Sequence, residues 1–573
     1  MAAADGSGAR PGRRGAGPEG RTGAGLLVRE LTVRYPGRAA DALRGVGLAV
    51  EPGELVGVAG RNGAGKSTLA LAAAGLIPRV VRARVSGSVT VDGEPVLGAD
   101  PARRRHRVGI VFPSPHNQIS ATKFTVREEL AFGLENLGVP RAEMDERIDR
   151  VMADLGIEHL ADRYPFHLSG GEQQRVAIAA VLAMGSEVLV LDEPTAQLDP
   201  AGLAAVAGIL RREAGRGIAV LAAEHAVPVL AEAVRCVLLD EGRAVVEGRP
   251  GVVLGSAVLE PLGLRPPELV ALAELAGTAS GDLTDEAALA AGLARAAQAG
   301  RLPERMPAGR VPAASWEPVR RHPPTGVEVR RLVHRYPGGV EALRGVSLEI
   351  PPGQKVAVVG RNGSGKTTLV KHLNGLLRPD VGEVRVGGEP VADRPVHLMA
   401  RTVGFVFQDP DDQLFERTVE REVRFGPRNL GLDRGTVDRL VEAALAATGL
   451  AGRRDENPHD LGPSDRKLVA IASVLAMDPA VVVLDEPTTG QDGPGVARVG
   501  AIVDALAAAG RTVVAVTHDV GFAAERFDRI VVMREGEVVL DGSPTEVFAP
   551  GHAATLASTG LTPPVAARVG ARL

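Results

Sequence analysis

Two stretches decide how this chain reads: ALRGVGLAVEPGELVGVAGRNGAGKSTL, Ala42 to Leu69, and ALRGVSLEIPPGQKVAVVGRNGSGKTTL, Ala342 to Leu369. Each runs from an apolar segment through a glycine-rich loop into a helical pattern. Glycines let such a loop curl until successive N–H groups face one anion. The helix that follows adds its positive end. Gly60, Asn62, Gly63, Gly65, Lys66, Ser67 and Thr68 form one candidate phosphate cradle. Gly360, Asn362, Gly363, Gly365, Lys366, Thr367 and Thr368 form the other. Lys66 and Lys366 are expected to reach the β and γ phosphates, and Ser67 and Thr367 to place a hydroxyl on Mg2+. One match of this kind arises by chance about once in a hundred such chains; two, each between a strand and a helix, leave chance negligible.

Outward from the loops the repetition continues. VRYPG at Val33 returns as HRYPG at His334, VLVLDEPT at Val188 as VVVLDEPT at Val481, and GLRPP at Gly263 as GLTPP at Gly560. The offset stays between 293 (Val188 to Val481) and 301 (Val33 to His334). A period this long is a tandem domain duplication, not a solenoid. The expected domains are residues 25–267 and 326–573. Residues 1–24, rich in Gly, Arg and Ala, read as a disordered tail. Residues 268–325 read as a helical segment, with Thr284 as a candidate N-cap, followed by a Pro- and Arg-rich linker that carries the only tryptophan, Trp316. Within each repeat, Val/Leu-rich runs alternate with helical patterns. Runs such as LVGVAG and VLVLDE suit parallel strands buried on both faces. The expected class is α/β, with a largely parallel sheet between helices.

The 573 residues carry a net charge of −4, so no basic excess draws the chain to nucleic acid. The basic residues are almost all arginine, which a GC-rich coding sequence explains. Cys236 is the only cysteine, which fits a reducing compartment. No run of eighteen apolar residues and no signal-peptide pattern is found, so the polypeptide is not expected to cross a membrane itself.

Asp192 and Asp485 each end an apolar run, where a carboxylate can hold Mg2+ or its water. Glu193 and Glu486 follow directly, placed to polarise an attacking water. A plain surface acid is the bland reading, disfavoured by the duplicated surroundings. His225 in AAEHA and His518 in VTHDV end a further apolar run and are expected to contact the γ-phosphate. Tyr35 and Tyr336 are two of three tyrosines, each preceding its glycine loop. Stacking on adenine or packing in the core would account for them.

The order of glycine loop, LSGGEQQR (Leu168 to Arg175), VLVLDEPT and downstream histidine resembles the nucleotide-binding domains of ABC ATPases, over nearly all of both repeats. The resemblance implies two such domains, each with a helical subdomain, facing head to tail within one chain; no higher oligomer is required. Each ATP then lies between one domain's glycine loop and the other's signature. A finer likeness is carried by VGFVFQDPDDQLFERTVEREVRFGPRNLG, Val403 to Gly431, by VGIVFPSPHNQISATKFTVREELAFGLENLG, Val108 to Gly138, and by TTGQD, Thr488 to Asp492. These are similar to the ATPases of energy-coupling factor importers. That likeness implies ATP and Mg2+ as cofactors and a peripheral place on the cytoplasmic face of the cell membrane. It also implies two membrane partners: an integral coupling protein and a small substrate-binding protein for a vitamin or transition-metal ion. Segments around Gln118 and Gln413 are expected in the partner surface.

The second repeat departs from the family at its signature, LGPSDRKL, Leu461 to Leu468. One site should pair Lys366, Asp485 and Glu486 with the intact Ser169, Gly170 and Gly171. The other should pair Lys66, Asp192 and Glu193 with Gly462, Pro463 and Ser464. There Gly462 lacks a hydroxyl and Pro463 lacks an N–H; the Ser464 hydroxyl offers partial compensation. That site also has Pro113 where the other has Gln408, a candidate Mg2+ ligand and water-orienting residue. The expectation is one hydrolysing site and one that mainly binds, slow turnover at the second remaining open because Glu193 and His225 persist. The competing readings are a soluble ABC ATPase acting on ribosomes or nucleic acid, and the ATPase of another ABC transporter class.

Overall fold

The structure is a computed structural model, and it describes residues 25–98, 107–168, 170–195, 198, 200–262, 264, 266–278, 286–300 and 322–571. The tail, Thr284, Trp316 and Ser169 lie outside the described residues.

Two lobes repeat one architecture. In the first, a six-stranded sheet runs in the order Arg243–Gly248, Arg235–Asp240, Leu55–Gly60, Ala219–Ala223, Val188–Asp192, Val108–Val111. Only the edge hairpin of the first two strands is antiparallel. The central strands pair in parallel, Leu55 opposite Val220 and Val188 opposite Ala219. Every residue of Val188–Asp192 and Ala219–Ala223 is buried, which is why these runs are continuously apolar and not alternating. The second lobe repeats the order from Val403–Val406 through Val481–Asp485, Thr512–Thr517, Lys355–Val359 and Arg529–Arg534 to Glu537–Gly542.

Each central sheet is covered on both faces. A four-stranded antiparallel sheet, Leu43–Val50, Leu26–Arg34, Arg84–Val91 and Glu94–Pro95 in the first lobe, packs one face together with the helix Lys66–Ala73. On the other face lie Pro200–Gly215 and a helical arm made of Val126–Asn136, Arg141–Leu155 and Gly170–Ala183. Thr125 starts the arm with a capping box: its hydroxyl accepts from the Glu128 N–H while Glu128 reaches back. Thr418 caps the matching helix Val419–Asn429 of the second lobe, its hydroxyl accepting from the Arg421 N–H.

The helices Glu268–Ala276 and Glu286–Gln298 join the core of the first lobe through Val270, Leu272, Leu289 and Leu293. Val569, from the C-terminal helix Val565–Gly570 of the second lobe, is buried in that same cluster. Glu268 accepts a hydrogen bond from the Ala566 N–H at 3.2 Å. The second lobe's C-terminus therefore packs on the first lobe.

Candidate functional site

Both glycine loops sit where a buried parallel strand meets a helix. Gly60 has φ 148° and Gly65 φ 106°. A Cβ on Gly60 would come within 2.3 Å of the Leu239 carbonyl oxygen, and one on Gly65 within 2.7 Å of the Ala42 oxygen. Only glycine fits either place. Lys66 and Lys366 begin the two helices and fold back over their loops. Lys66 Nζ donates to the Gly60 and Arg61 carbonyls at 3.0 and 3.2 Å, Lys366 Nζ to Gly360 and Arg361 at 2.8 and 2.9 Å. Asn62 and Gly63 lie on the first loop, Asn362 and Gly363 on the second. The Tyr35 and Tyr336 hydroxyls each lie 3.1 Å from the hydroxyl of Thr68 and Thr368. Tyr35 packs partly into the core, whereas Tyr336 is exposed.

Beside each loop stands a hydroxyl–carboxylate pair. Ser67 donates to Asp192 at 2.9 Å and Thr367 to Asp485 at 3.2 Å. Burial pushes both aspartates up to about 6. A buried carboxylate next to a hydroxyl is a hard oxygen donor set short of a cation, which fits Mg2+.

Glu193 and Glu486 have φ 47° and 48°, the left-handed region, and donate their N–H groups to the Ala223 and Val516 carbonyls. The same unfavourable turn held in both lobes aims each carboxylate at its histidine. His225 Nε2 lies 3.0 Å from Glu193 and 2.9 Å from Lys66 Nζ. His518 presents Nδ1 instead, 2.8 Å from Glu486. Burial favours the neutral Glu193, but the His225 hydrogen bond and the charges of His225 and Lys66 outweigh it, and its pKa falls to about 2. Glu486 is likewise held below its usual range against burial by His518 and Lys366.

The lobes meet at the first glycine loop. The Asn62 N–H donates to Asp492 Oδ2 at 2.8 Å, and Asn62 Nδ2 donates to the Gly490 carbonyl at 3.2 Å. Asn62 Oδ1 lies 3.0 Å from His225 Nε2. Arg453 holds Glu456 of the second arm below the ordinary carboxylate range, and Arg38 of the first lobe adds to the effect. The loop after Asp485–Glu486 thus reaches the pocket of Lys66. The matching residues 196, 197 and 199 lie outside the described residues.

Gly170 and Gly171 open the helix Gly170–Ala183; Pro463 and Ser464 open Pro463–Leu475. Ser464 does not offer its hydroxyl to a phosphate, contrary to the compensation expected from sequence. It is buried and donates to Gln491 Oε1 at 2.7 Å, while Gln491 Nε2 donates to the Ser464 carbonyl at 3.1 Å. Gln408 is exposed, and its main-chain carbonyl accepts from Lys467. Gln118 and Gln413 turn inward: each accepts from a main-chain N–H and donates to the signature helix of its lobe. The exposed large apolar side chains of those segments are Phe124, Phe415 and Phe425.

Three residues escaped sequence reasoning. Gln491 sat unweighed inside TTGQD, and Lys467 was one lysine among many arginines. Glu224 is a fully buried carboxylate before His225, accepting from the Thr195, His225 and Ala226 N–H groups. Its only sequence signal was an acid at the end of an apolar strand.

A model of the family described as ABC transporter matches residues 43–196 and 343–489, together more than half of the chain. The chain belongs to the ABC transporter family. A candidate ABC transporter ATP-binding protein of Methanosarcina acetivorans is 37% identical over 96% of this ABC chain and 91% of its own length. Similar candidates from Caldanaerobacter subterraneus (36%, 91% of this chain and 92% of that protein) and Streptomyces coelicolor (36%, 91% and 94%) cover both lobes. The structure of cbiO1 from Clostridium perfringens, part of the ABC transporter complex cbiONQ, is 35% identical. It covers 43% of this chain and 98% of that one, with a TM-score of 0.38. The two lobes are ABC ATPase domains, and among the described residues no helix is long and apolar enough to cross a membrane.

Proposed function

We propose that this ABC ATPase energises an importer of the energy-coupling factor type, with one hydrolysing and one degenerate ATP site. The observation that carries the asymmetry is the bond from the Asn62 loop to Asp492 and Gly490. It supports pairing the Lys66 pocket with the second lobe's altered signature and, by the repeat, the Lys366 pocket with Gly170 and Gly171.

At the Lys366 pocket, the loop amides, Lys366 and the start of the helix Gly170–Ala183 hold the phosphates of ATP. Thr367, Asp485 and Gln408 would hold Mg2+, which would supply charge neutralisation on the phosphate oxygens. Glu486 orients and polarises the attacking water, and His518 holds Glu486 and reaches the γ-phosphate. At the Lys66 pocket, Ser67 and Asp192 keep a metal donor pair, but Pro113 replaces the glutamine. Pro463 offers no N–H, and the Ser464 hydroxyl is committed to Gln491. Binding there closes the lobes without efficient hydrolysis.

The importer class rests on the motifs around Gln118, Gln413 and Thr488, which resemble that group. The partners proposed are a membrane coupling protein and a small substrate-binding membrane protein, with vitamin or metal-ion cargo. The ATPase would sit peripherally on the cytoplasmic face, and the exposed Phe124, Phe415 and Phe425 offer apolar anchors for docking. Steady-state ATPase assays test the asymmetry. Glu486→Gln is expected to remove activity by about 10²–10⁴-fold, the range for a general base, and Glu193→Gln to leave most of it. Equal loss from both refutes the asymmetric reading.

A further inference from the structure

The first turn of Pro463–Leu475 lacks the serine hydroxyl and one amide of the other signature, yet its own side chains are held by hydrogen bonds on both sides. Ser464 exchanges two hydrogen bonds with Gln491, in the loop that reaches across to Asn62. Lys467, three residues on and so on the same helix face, is 2% exposed. Its ammonium donates to the Phe407 carbonyl at 3.0 Å, to the Gln408 carbonyl, and to the Asp485 carbonyl at 3.5 Å. Arg466 clasps Asp411 at 2.8 and 2.7 Å, and Asp465 pairs with Arg453. In the first lobe the matching turn is held by other bonds: Gln173 Nε2 donates to the Pro165 carbonyl at 3.1 Å. Gly171 only approaches Leu198, and Gln174 Nε2 makes one bond, 3.3 Å to the Phe112 carbonyl, while its Oε1 finds no partner.

A buried ammonium keeps its charge inside a protein only where acceptors replace its water. Lys467 takes carbonyls from both sides of the proposed hydrolysing pocket: the Gln408 loop and the end of the strand that presents Asp485. Across three residues, about 4.5 Å of helix rise, the same turn reaches the loop that touches the other pocket.

Resting on the asymmetric reading above, we infer that this turn is a linkage between the two ATP sites. Gln491 and Ser464 carry the closure of the Lys66 pocket, and Lys467 is the positioning residue that converts it into placement of Gln408 beside Asp485. The degenerate signature gave up phosphate binding and acts as a mechanical coupler.

A double-mutant cycle in the full chain tests this, with kcat and KM for ATP measured for Lys467→Gln, Gln491→Leu and the pair. Lys467→Gln installs the residue of the first lobe and is expected to lower kcat roughly 10-fold, with KM shifted less than about threefold, the pattern of lost transition-state positioning. Lys467→Arg, which keeps the charge and donors, should recover at least about a third of kcat. Gln491→Leu should cost roughly threefold alone and almost nothing once Lys467→Gln is present, because both cut one linkage. Multiplying effects, or a rise in KM at constant kcat, overturn the linkage. If Lys467→Gln fails to fold by thermal melting, Lys467→Met, which keeps the stem and loses the donors, replaces it in the cycle, and non-additivity with Gln491→Leu remains the criterion. Glu486→Gln and Glu193→Gln run alongside. If they lose activity equally, the asymmetric reading fails; if they differ while the cycle multiplies, the linkage alone fails.

Discussion

The two signature turns, Gly170 to Gln174 and Pro463 to Lys467, hold matching places in the two repeats and differ in their backbone and their bonds. The first keeps bare glycine backbone at a helix start, where N–H groups can face an anion. The second closes that backbone with a proline and spends its side chains inside its own lobe. The exchanges are matched in space: Gly171 lies against Leu198, while Ser464 pairs with Gln491 at the corresponding positions. Random decay would leave a buried serine hydroxyl beside a leucine. The structure shows instead that Gln491 satisfies the Ser464 hydroxyl, so serine and glutamine form one bonded pair.

The sharpest way to break this comparison is to give the first turn the second's proline. Gly170→Pro should fold, because the first helical position tolerates proline. It should nonetheless cut ATPase activity by about 10²–10³-fold through one lost phosphate donor. Pro463→Gly should change the rate less than about twofold, since the other defects of that pocket remain. Similar responses to the two substitutions in an ATPase assay would show the turns to be equivalent.

A smaller effect tests whether Ser464 and Gln491 are one unit. Gln491→Leu strands a buried hydroxyl and should cost about 1–3 kcal/mol of stability. Adding Ser464→Gly, which restores the first lobe's glycine–leucine pair, should return most of that loss in chemical denaturation. Additive losses would separate the two residues.

The smallest effect concerns what the lobes share. Asp192 and Asp485, each with a pKa of about 6, lie above the ordinary aspartate value. Each raised carboxyl is a cost of burial that is absent below the unfolded value, grows as pH rises towards 6, and is complete above it. A bound cation offsets that cost only where the carboxylate is charged. The gain in melting temperature from ADP with Mg2+ over ADP with a chelator should therefore be larger at pH 7.5 than at pH 5. Asp485→Asn should remove more of it than Asp192→Asn, because only the second lobe adds Gln408 to the donors. A gain independent of pH would exclude these carboxylates as metal ligands.

Much of the fold was legible residue by residue. The apolar runs at Leu55 and Val188 became buried parallel strands, and the loops before Lys66 and Lys366 took the left-handed turns that only glycine accepts. The inward turn of Gln118 and Gln413 was not legible, because a glutamine in a polar loop carries no signal of which way it faces. Nor was the docking of Val569 on the first lobe, since an isolated apolar residue in a short helix does not name its partner.

What the sequence determined by itself is the local chemistry: two phosphate loops, two acidic strand ends, one intact signature and one altered. These follow from backbone limits on glycine and proline and from the period of apolar residues, which act within a few positions of the chain. Only the tertiary structure decided that Asn62 meets Asp492, 430 residues away, that Gln491 occupies the Ser464 hydroxyl, and that Lys467 holds the Gln408 loop. Such pairings are settled when buried donors must find acceptors in a packed interior, and no local pattern records which acceptor will be there.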